Sequence, residues 1–129
     1  MKYGSLTEKI IGAFYAVYSE LGYGFLEKVY ENALVIELKR CELQVKQQLP
    51  IKVFYKQEVV GEYFADIVVN ESVIVELKAA RNILKEHEAQ LLNYLKATPY
   101  EVGLLLNFGP LLKHVRKVYD NELKSNLQK

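Results

Sequence analysis

The sequence predicts an α/β protein with a mixed sheet flanked by helices. Three observations carry that reading. Two helical segments open the chain, hairpin-connected strands follow, and a further helical segment leads into a short, wholly apolar strand. Tight turns join antiparallel strands, whereas a helical crossover returns the chain to a neighbouring strand of the same sheet.

The first helix is signalled by Ser5-Leu6-Thr7-Glu8, which has the capping-box form of an N-cap hydroxyl with a glutamate three residues on. Leu6, Ile10, Ile11, Phe14, Val17, Tyr18 and Leu21 then recur at spacings of three and four, up to a stop near Gly22. After the Gly22-Tyr23-Gly24 break a second helix runs from about Leu26 to Lys39. Leu26, Val29, Tyr30, Ala33 and Leu34 line one face; Glu27, Lys28, Glu31 and Asn32 lie largely off it.

From Leu43 the pattern turns to strands. Pro50–Tyr55 alternates, Lys56-Gln57-Glu58 reads as a turn, and Val59–Val69 is a second run with Gly61 as a kink or bulge. Asn70-Glu71-Ser72 is a turn into a third strand, Val73–Leu77. Ile83–Ala97 is helical, with Pro99 just beyond. Val102–Asn107 is a continuous apolar run, as in a strand buried on both faces. His114–Tyr119 suits a strand or a helix, and its alternation favours a strand.

The totals bound the answer. A chain of 129 residues suggests one domain over 1–129, with a flexible tail from about 122 to 129. It can bury roughly two-thirds of its unfolded surface without staples. The single cysteine, Cys41, excludes an intrachain disulfide and fits a reducing compartment. No signal-peptide pattern and no run of about 20 apolar residues occurs, so cytoplasmic is the default expectation. Net charge is +1, which neither favours nor excludes a nucleic-acid partner. The most basic stretch, Lys113, His114, Arg116, Lys117 and Lys124, reads as solvated surface. No Walker A loop, zinc spacing or Ser-His-Asp arrangement can be assembled.

The chemistry concentrates in FADIVVNESVIVELK, residues 64–78. Asp66, Glu76 and Lys78 interrupt runs that otherwise suit a buried hairpin. With Asn70-Glu71-Ser72 as the loop, Asp66 faces Glu76 directly, with Cβ atoms roughly 4.5–5.5 Å apart. Lys78 lies on the same face, about 6.6–6.8 Å beyond Glu76. Opposed like charges are destabilising, and burial worsens this. A divalent cation offsets it, and Mg²⁺ commonly takes one or two carboxylates plus waters and substrate phosphates. The alternative is a solvent-facing polar stripe in which Lys78 makes ordinary salt bridges, and a two-residue loop would put the two acids on opposite faces. Spacing alone leaves both readings open.

Asp66-X9-Glu76-Leu77-Lys78 in an α-β-β-β-α-β order resembles the PD-(D/E)XK nuclease superfamily. Gly24-Phe25-Leu26-Glu27-Lys28-Val29-Tyr30 fits the G-x-x-E-x-x-Y signature of its small GxxExxY branch. FADIVVNESVIVELKA, HEAQLLNYLKAT and GLLLNFG are similar to that family's other blocks, and the resemblance spans about residues 5–120. The proline usual before the aspartate is Ala65 here.

The resemblance implies a restriction-endonuclease-like core in which Asp66, Glu76 and the Leu77 carbonyl bind Mg²⁺, with Mn²⁺ as a substitute. Lys78 would orient or deprotonate the attacking water, or stabilise the transition state. Phosphodiester cleavage needs a nucleophile at neutral pH and charge stabilisation; a metal supplies both, and a nearby cation adds to the second. The signature also implies Glu27 as an extra metal ligand. A carboxylate in the first turn of a helix is equally explained by the helix dipole, at roughly 0.3–1 kcal/mol. Glu31 reads as a solvated helix residue, and Tyr30 as core or site.

His87, Gln90, Leu91 and Tyr94 share a helix face. Gln90 and Tyr94 resemble a Q-x-x-x-Y motif that helps place nucleic acid or catalytic groups, so Gln90 is read as functional and Tyr94 as either core or site. His87 reads as a local hydrogen-bond partner.

The expected function is therefore a Mg²⁺-dependent nuclease hydrolysing phosphodiester bonds, with DNA as substrate. The alternative is a catalytically weak nucleic-acid-binding or regulatory module that keeps the fold. A small-molecule-binding or structural protein is a third class, because fold does not fix function. A homodimer would enlarge the grip of so small a domain on a duplex.

Overall fold

The structure is a computed structural model and describes residues 1–124. Helices α1 (Gly4–Leu21) and α2 (Glu27–Arg40) come first. Strands β1 (Val45–Tyr55), β2 (Glu58–Val69) and β3 (Val73–Lys78) follow, then α3 (Lys85–Lys96), β4 (Val102–Phe108) and β5 (Leu112–Val118). A 3-10 turn spans Asn121–Leu123.

The five strands form one sheet in the order β1-β2-β3-β4-β5. β3 and β4 pair in parallel and the other neighbours are antiparallel. This is the mixed sheet expected from two hairpins and a helical crossover, and the alternation of residues 114–119 is that of a strand.

Helices α1 and α2 cover one face, where Ile10, Phe14, Tyr30, Leu34 and Leu38 meet Val73, Val75, Leu104 and Leu106. Helix α3 covers the other, where Leu91, Tyr94 and Leu95 meet Val68, Ile74 and Leu105. With helices on both sides, every residue of β4 is buried, which is why VGLLLNF carries no polar alternation.

Several local expectations are corrected. Ser5 does not cap α1: the helix starts at Gly4, with Tyr3 in a left-handed conformation (φ 52°) and no side-chain cap. The hydroxyl that bonds in the first turn is that of Thr7, which donates to the Gly4 carbonyl at 3.0 Å. β1 begins at Val45, not Pro50, because Lys46-Gln47-Gln48 belongs to a largely exposed edge strand whose side chains need no apolar alternation. Lys56 and Gln57 alone form the first hairpin turn, both at positive φ, the left-handed pair that suits the twist of a two-residue hairpin. The expected irregularity near Gly61 is a register shift that leaves Val60 unpaired, between Val53↔Gly61 and Phe54↔Val59.

Of the tail expected to be flexible, the part up to Lys124 is tied down. The Lys124 ammonium donates to the carbonyls of Thr98 (2.8 Å) and Tyr100 (2.7 Å). The remainder lies outside the described residues.

Tyr30 belongs to the core. It is fully buried and its ring stacks on Phe108 at 4.3 Å between centroids. Its hydroxyl donates to the Gly22 carbonyl (2.5 Å) and accepts from the Phe25 N–H (3.2 Å). It thereby fixes the loop in which Gly24 adopts φ 116°, a conformation open to glycine. Tyr30→Phe should cost about 1–3 kcal/mol, since two loop backbone groups lose a partner; urea unfolding measures it.

Candidate active site

The Val69↔Val73, Val68↔Ile74 and Ile67↔Val75 pairs fix the β2–β3 register. One step further Asp66 stands opposite Glu76, as the three-residue loop requires. There the backbone ladder gives way to side chains. The Glu76 carboxylate accepts the Asp66 N–H at 2.7 Å, and the Asp66 carboxylate accepts the Leu77 N–H at 2.9 Å. Each acid so caps a donor of the other's strand, which holds both carboxylates at the point where the strands part.

Asp66 also marks a change of face. Ile67 packs under α1 and α2, whereas Ala65, two residues back, packs under α3. Residues two apart on a regular strand share a face, so alternation breaks at Asp66. The neighbouring strand breaks at the same level: Gln47↔Ile67 and Leu49↔Ala65 pair, while Gln48 between them has φ 52°. The break lets adjacent Gln47 and Gln48 reach the same group. Both donate to the Glu31 carboxylate, at 2.8 Å and 3.2 Å, and Gln48 Nε2 also lies 3.4 Å from Asp66 Oδ1.

Glu31 thus corrects the reading of a solvated helix residue. It is only 5% exposed, held by the two amides and by Lys28 at 3.1 Å. Glu27, the acid the signature singled out, is exposed in the first turn of α2, where the helix dipole favours it. The carboxylate that α2 sends towards Asp66 is Glu31, one turn on.

The electrostatics follow from burial. Glu76 is 6% exposed, and desolvation together with the Asp66 charge pushes its pKa from 4.5 to about 8. Asp66 is raised as well, chiefly by burial and also by Glu31, against the opposing pull of the Leu77 N–H, Gln48 and Lys78. The exposed polar stripe is therefore not what β2 and β3 form. Lys78 is half-buried, and no carboxylate pairs with it among the described residues. Its charge still favours ionisation of both acids.

Helix α3 brings up the rest. Tyr94 is buried, and burial plus the charges of Glu76 and Asp66 push its hydroxyl up to about 12. Gln90, one turn before it, is half-buried and lines a groove of about 450 Å³ with Tyr94. His87 accepts the Leu84 N–H through Nδ1 at 3.1 Å, a local bond at the helix start.

Asn107 was not singled out by its sequence. It is 1% exposed, pairs in register with Lys78, and clamps the chain beyond it. Its Oδ1 accepts the Ala80 N–H (3.0 Å) and its Nδ2 donates to the Ala80 carbonyl (2.9 Å). This fixes the exit of β3 two residues after Lys78.

No group of three or more His, Cys, Asp or Glu side chains is arranged to hold a metal ion among the described residues. A buried and a half-buried carboxylate with elevated pKa values nonetheless suit a hard divalent cation, since Mg²⁺ accepts one or two carboxylates and completes its shell with water. The donor set fits.

A family model described as the PD-(D/E)XK nuclease superfamily matches residues 4–120. A crystal structure described as that of SSO0001 superposes with a TM-score of 0.61 at 20% identity, covering 92% of this chain and 60% of that one. That likeness is one of fold, and this chain spans 60% of the other's length. No curated protein matches. Among the described residues no helix is long and apolar enough to cross a membrane.

Proposed function

The chain belongs to the PD-(D/E)XK nuclease superfamily, and from that premise we propose that it hydrolyses phosphodiester bonds in DNA with Mg²⁺, as a member of the GxxExxY branch. Nucleases of this superfamily generally use divalent metal ions. The observation that carries the reading is the Asp66–Glu76 pair, a half-buried and a buried acid each bonded to the other's strand, with Lys78 beside them and unpaired among the described residues.

Asp66, Glu76 and the Leu77 carbonyl are the groups we assign to the metal, with Mn²⁺ as a substitute; Glu31 takes the outer position first expected of Glu27. When bound, the ion lowers the pKa of its water and polarises a phosphoryl oxygen. Lys78 places a positive charge where the phosphate becomes more negative, and holds the attacking water by its N–H donors. Gln90 positions the nucleic acid from α3. Gln47 and Gln48 keep Glu31 in place, and Asn107 keeps Lys78 in place. A cytoplasmic homodimer, in which two clefts meet one duplex, is the assembly that best suits so small a binding surface.

Cleavage of plasmid and single-stranded DNA in Mg²⁺ or Mn²⁺ tests the reading. Lys78→Ala should lower the rate by about 10²–10³-fold, as loss of one transition-state charge partner does. Calorimetric Mg²⁺ binding should survive that change and vanish in Asp66→Ala. Cleavage that persists in both variants sinks the assignment. Salt-dependent DNA retention without cleavage would instead identify a binding module.

A further inference from the structure

We propose that the groove between α3 and the β1–β2 hairpin is a nucleobase subsite, so that the substrate presents an unstacked base beside the phosphodiester it loses. This rests on the nucleic-acid reading above and adds the form of the substrate to it.

Four side chains make the argument: Tyr63, Gln90, Asn93 and Tyr94. Tyr63 projects from β2 with 46% of its surface exposed. Its ring lies along Gly61, close enough that a Cβ there would meet it at 3.3 Å. The ring is therefore laid down by a missing side chain two residues back, with a face left to solvent. Tyr94 stands 5.7 Å away at 43°, too tilted to stack, and the two rings open as a wedge.

Gln90 and Asn93 line the same groove, and the side-chain hydrogen bonds made in and beside α3 involve His87 and Thr98 instead. Two amides with no side-chain hydrogen bond among the described residues offer donors and acceptors together, the pattern that base edges present. Charge points the same way. Glu86 and Lys96 both border the groove, so it carries one acid and one ammonium. That balance suits an uncharged ring and does not suit a phosphate. The volume of about 450 Å³ lies within the range of small-ligand clefts, roughly 300–1,000 Å³.

Tyr94 lines the groove and also lies near enough to Glu76 and Asp66 for its hydroxyl to feel their charges, so it borders both the groove and the acidic pair. A base seated on Tyr63 would place its own backbone towards those carboxylates. A stacked duplex yields such a base only at a cost of a few kcal/mol, so single strands, frayed ends and mismatches are favoured.

Anisotropy titrations at fixed salt, without Mg²⁺, test the subsite. The probes are a labelled thymidine oligomer, an abasic oligomer of equal length and a blunt duplex. The wild type should hold the base-bearing strand more tightly than the abasic one. Base–aromatic stacking is worth about 1–3 kcal/mol, so Tyr63→Ala should weaken the base-bearing strand by roughly 5–150-fold and leave the abasic strand unchanged. Tyr63→Phe should bind like the wild type, which separates stacking from a folding defect. Equal affinity for base-bearing and abasic strands overturns the proposal, as does a Tyr63→Ala variant that binds both as the wild type does. Base-dependent binding without any Mg²⁺-dependent cleavage would keep the subsite and remove the nuclease assignment. Cleavage that is indifferent to a missing base would do the reverse.

Discussion

Glu76→Gln is expected to stabilise the metal-free protein at alkaline pH while destroying its activity. In the fold, burial and the Asp66 charge hold the Glu76 pKa at about 8, against 4.5 ordinarily. A raised carboxylate pKa means that the folded state keeps a proton which the unfolded state releases. Its contribution is therefore fully present below about pH 4.5 and is lost as pH rises through about 8. Asp66 is raised too and acts with the same sign. The displacement from 4.5 to about 8 corresponds to at most roughly 5 kcal/mol. Glutamine has nothing to ionise, so its profile should be flatter across that window, with the gap to wild type widest near pH 9. Mg²⁺ should close the gap by raising the wild-type midpoint alone. Cleavage by the variant should fall by about 10²–10³-fold or more, because the ion loses a charged ligand. Thermal melts from pH 4 to 9, with and without Mg²⁺, decide the matter. Parallel profiles for wild type and variant would mean that Glu76 is not held protonated by burial beside Asp66.

This trade of stability for charge also explains how much of the site could be read from residues alone. The Asp66–Glu76 meeting is legible because it needs only a loop length and the two-residue period of strands, both local properties. Strand β4 is legible because burial on both faces leaves an unbroken apolar run. Glu31 is not legible by the same logic. It follows Tyr30 directly, off the Tyr30–Leu34 line, and its burial depends on Gln47 and Gln48. Those two sit on an edge strand with no apolar alternation, and they reach one carboxylate only because Gln48 departs from extended geometry. Such a break leaves no mark in a single sequence. The G-x-x-E-x-x-Y signature points to Glu27, whereas the acid turned to the cleft, Glu31, lies one helical turn later. The one signal for it is the pair of adjacent glutamines, Gln47 and Gln48, ahead of the alternating run that starts at Pro50.

Asn107 shows the same limit over a longer distance, and it carries the other large prediction. The residue ends an apolar run and reads as the polar end of a strand; its partner is 27 positions earlier in the chain. The two bonds to Ala80 sit in a part-buried corner, and Gly109 completes it. A Cβ at Gly109 would fall well inside contact distance of the Ala80 carbonyl oxygen and 2.9 Å from Asn107 Nδ2. Asn107→Ala leaves the Ala80 N–H and C=O without partners, at about 1–3 kcal/mol for each such group, so a total of roughly 2–5 kcal/mol is expected in urea unfolding. Gly109→Ala should cost about 1–3 kcal/mol or more, since backbone must move to admit the methyl group. Both changes act on the segment that carries Lys78 and neither removes a carboxylate. At a temperature where the variants remain folded, cleavage should fall through kcat, by about tenfold or more, because small displacements of a catalytic group are costly. Mg²⁺ affinity should change little. If kcat is unaltered in a folded Asn107→Ala protein, the clamp serves the fold alone, and Lys78 is held by the sheet without it.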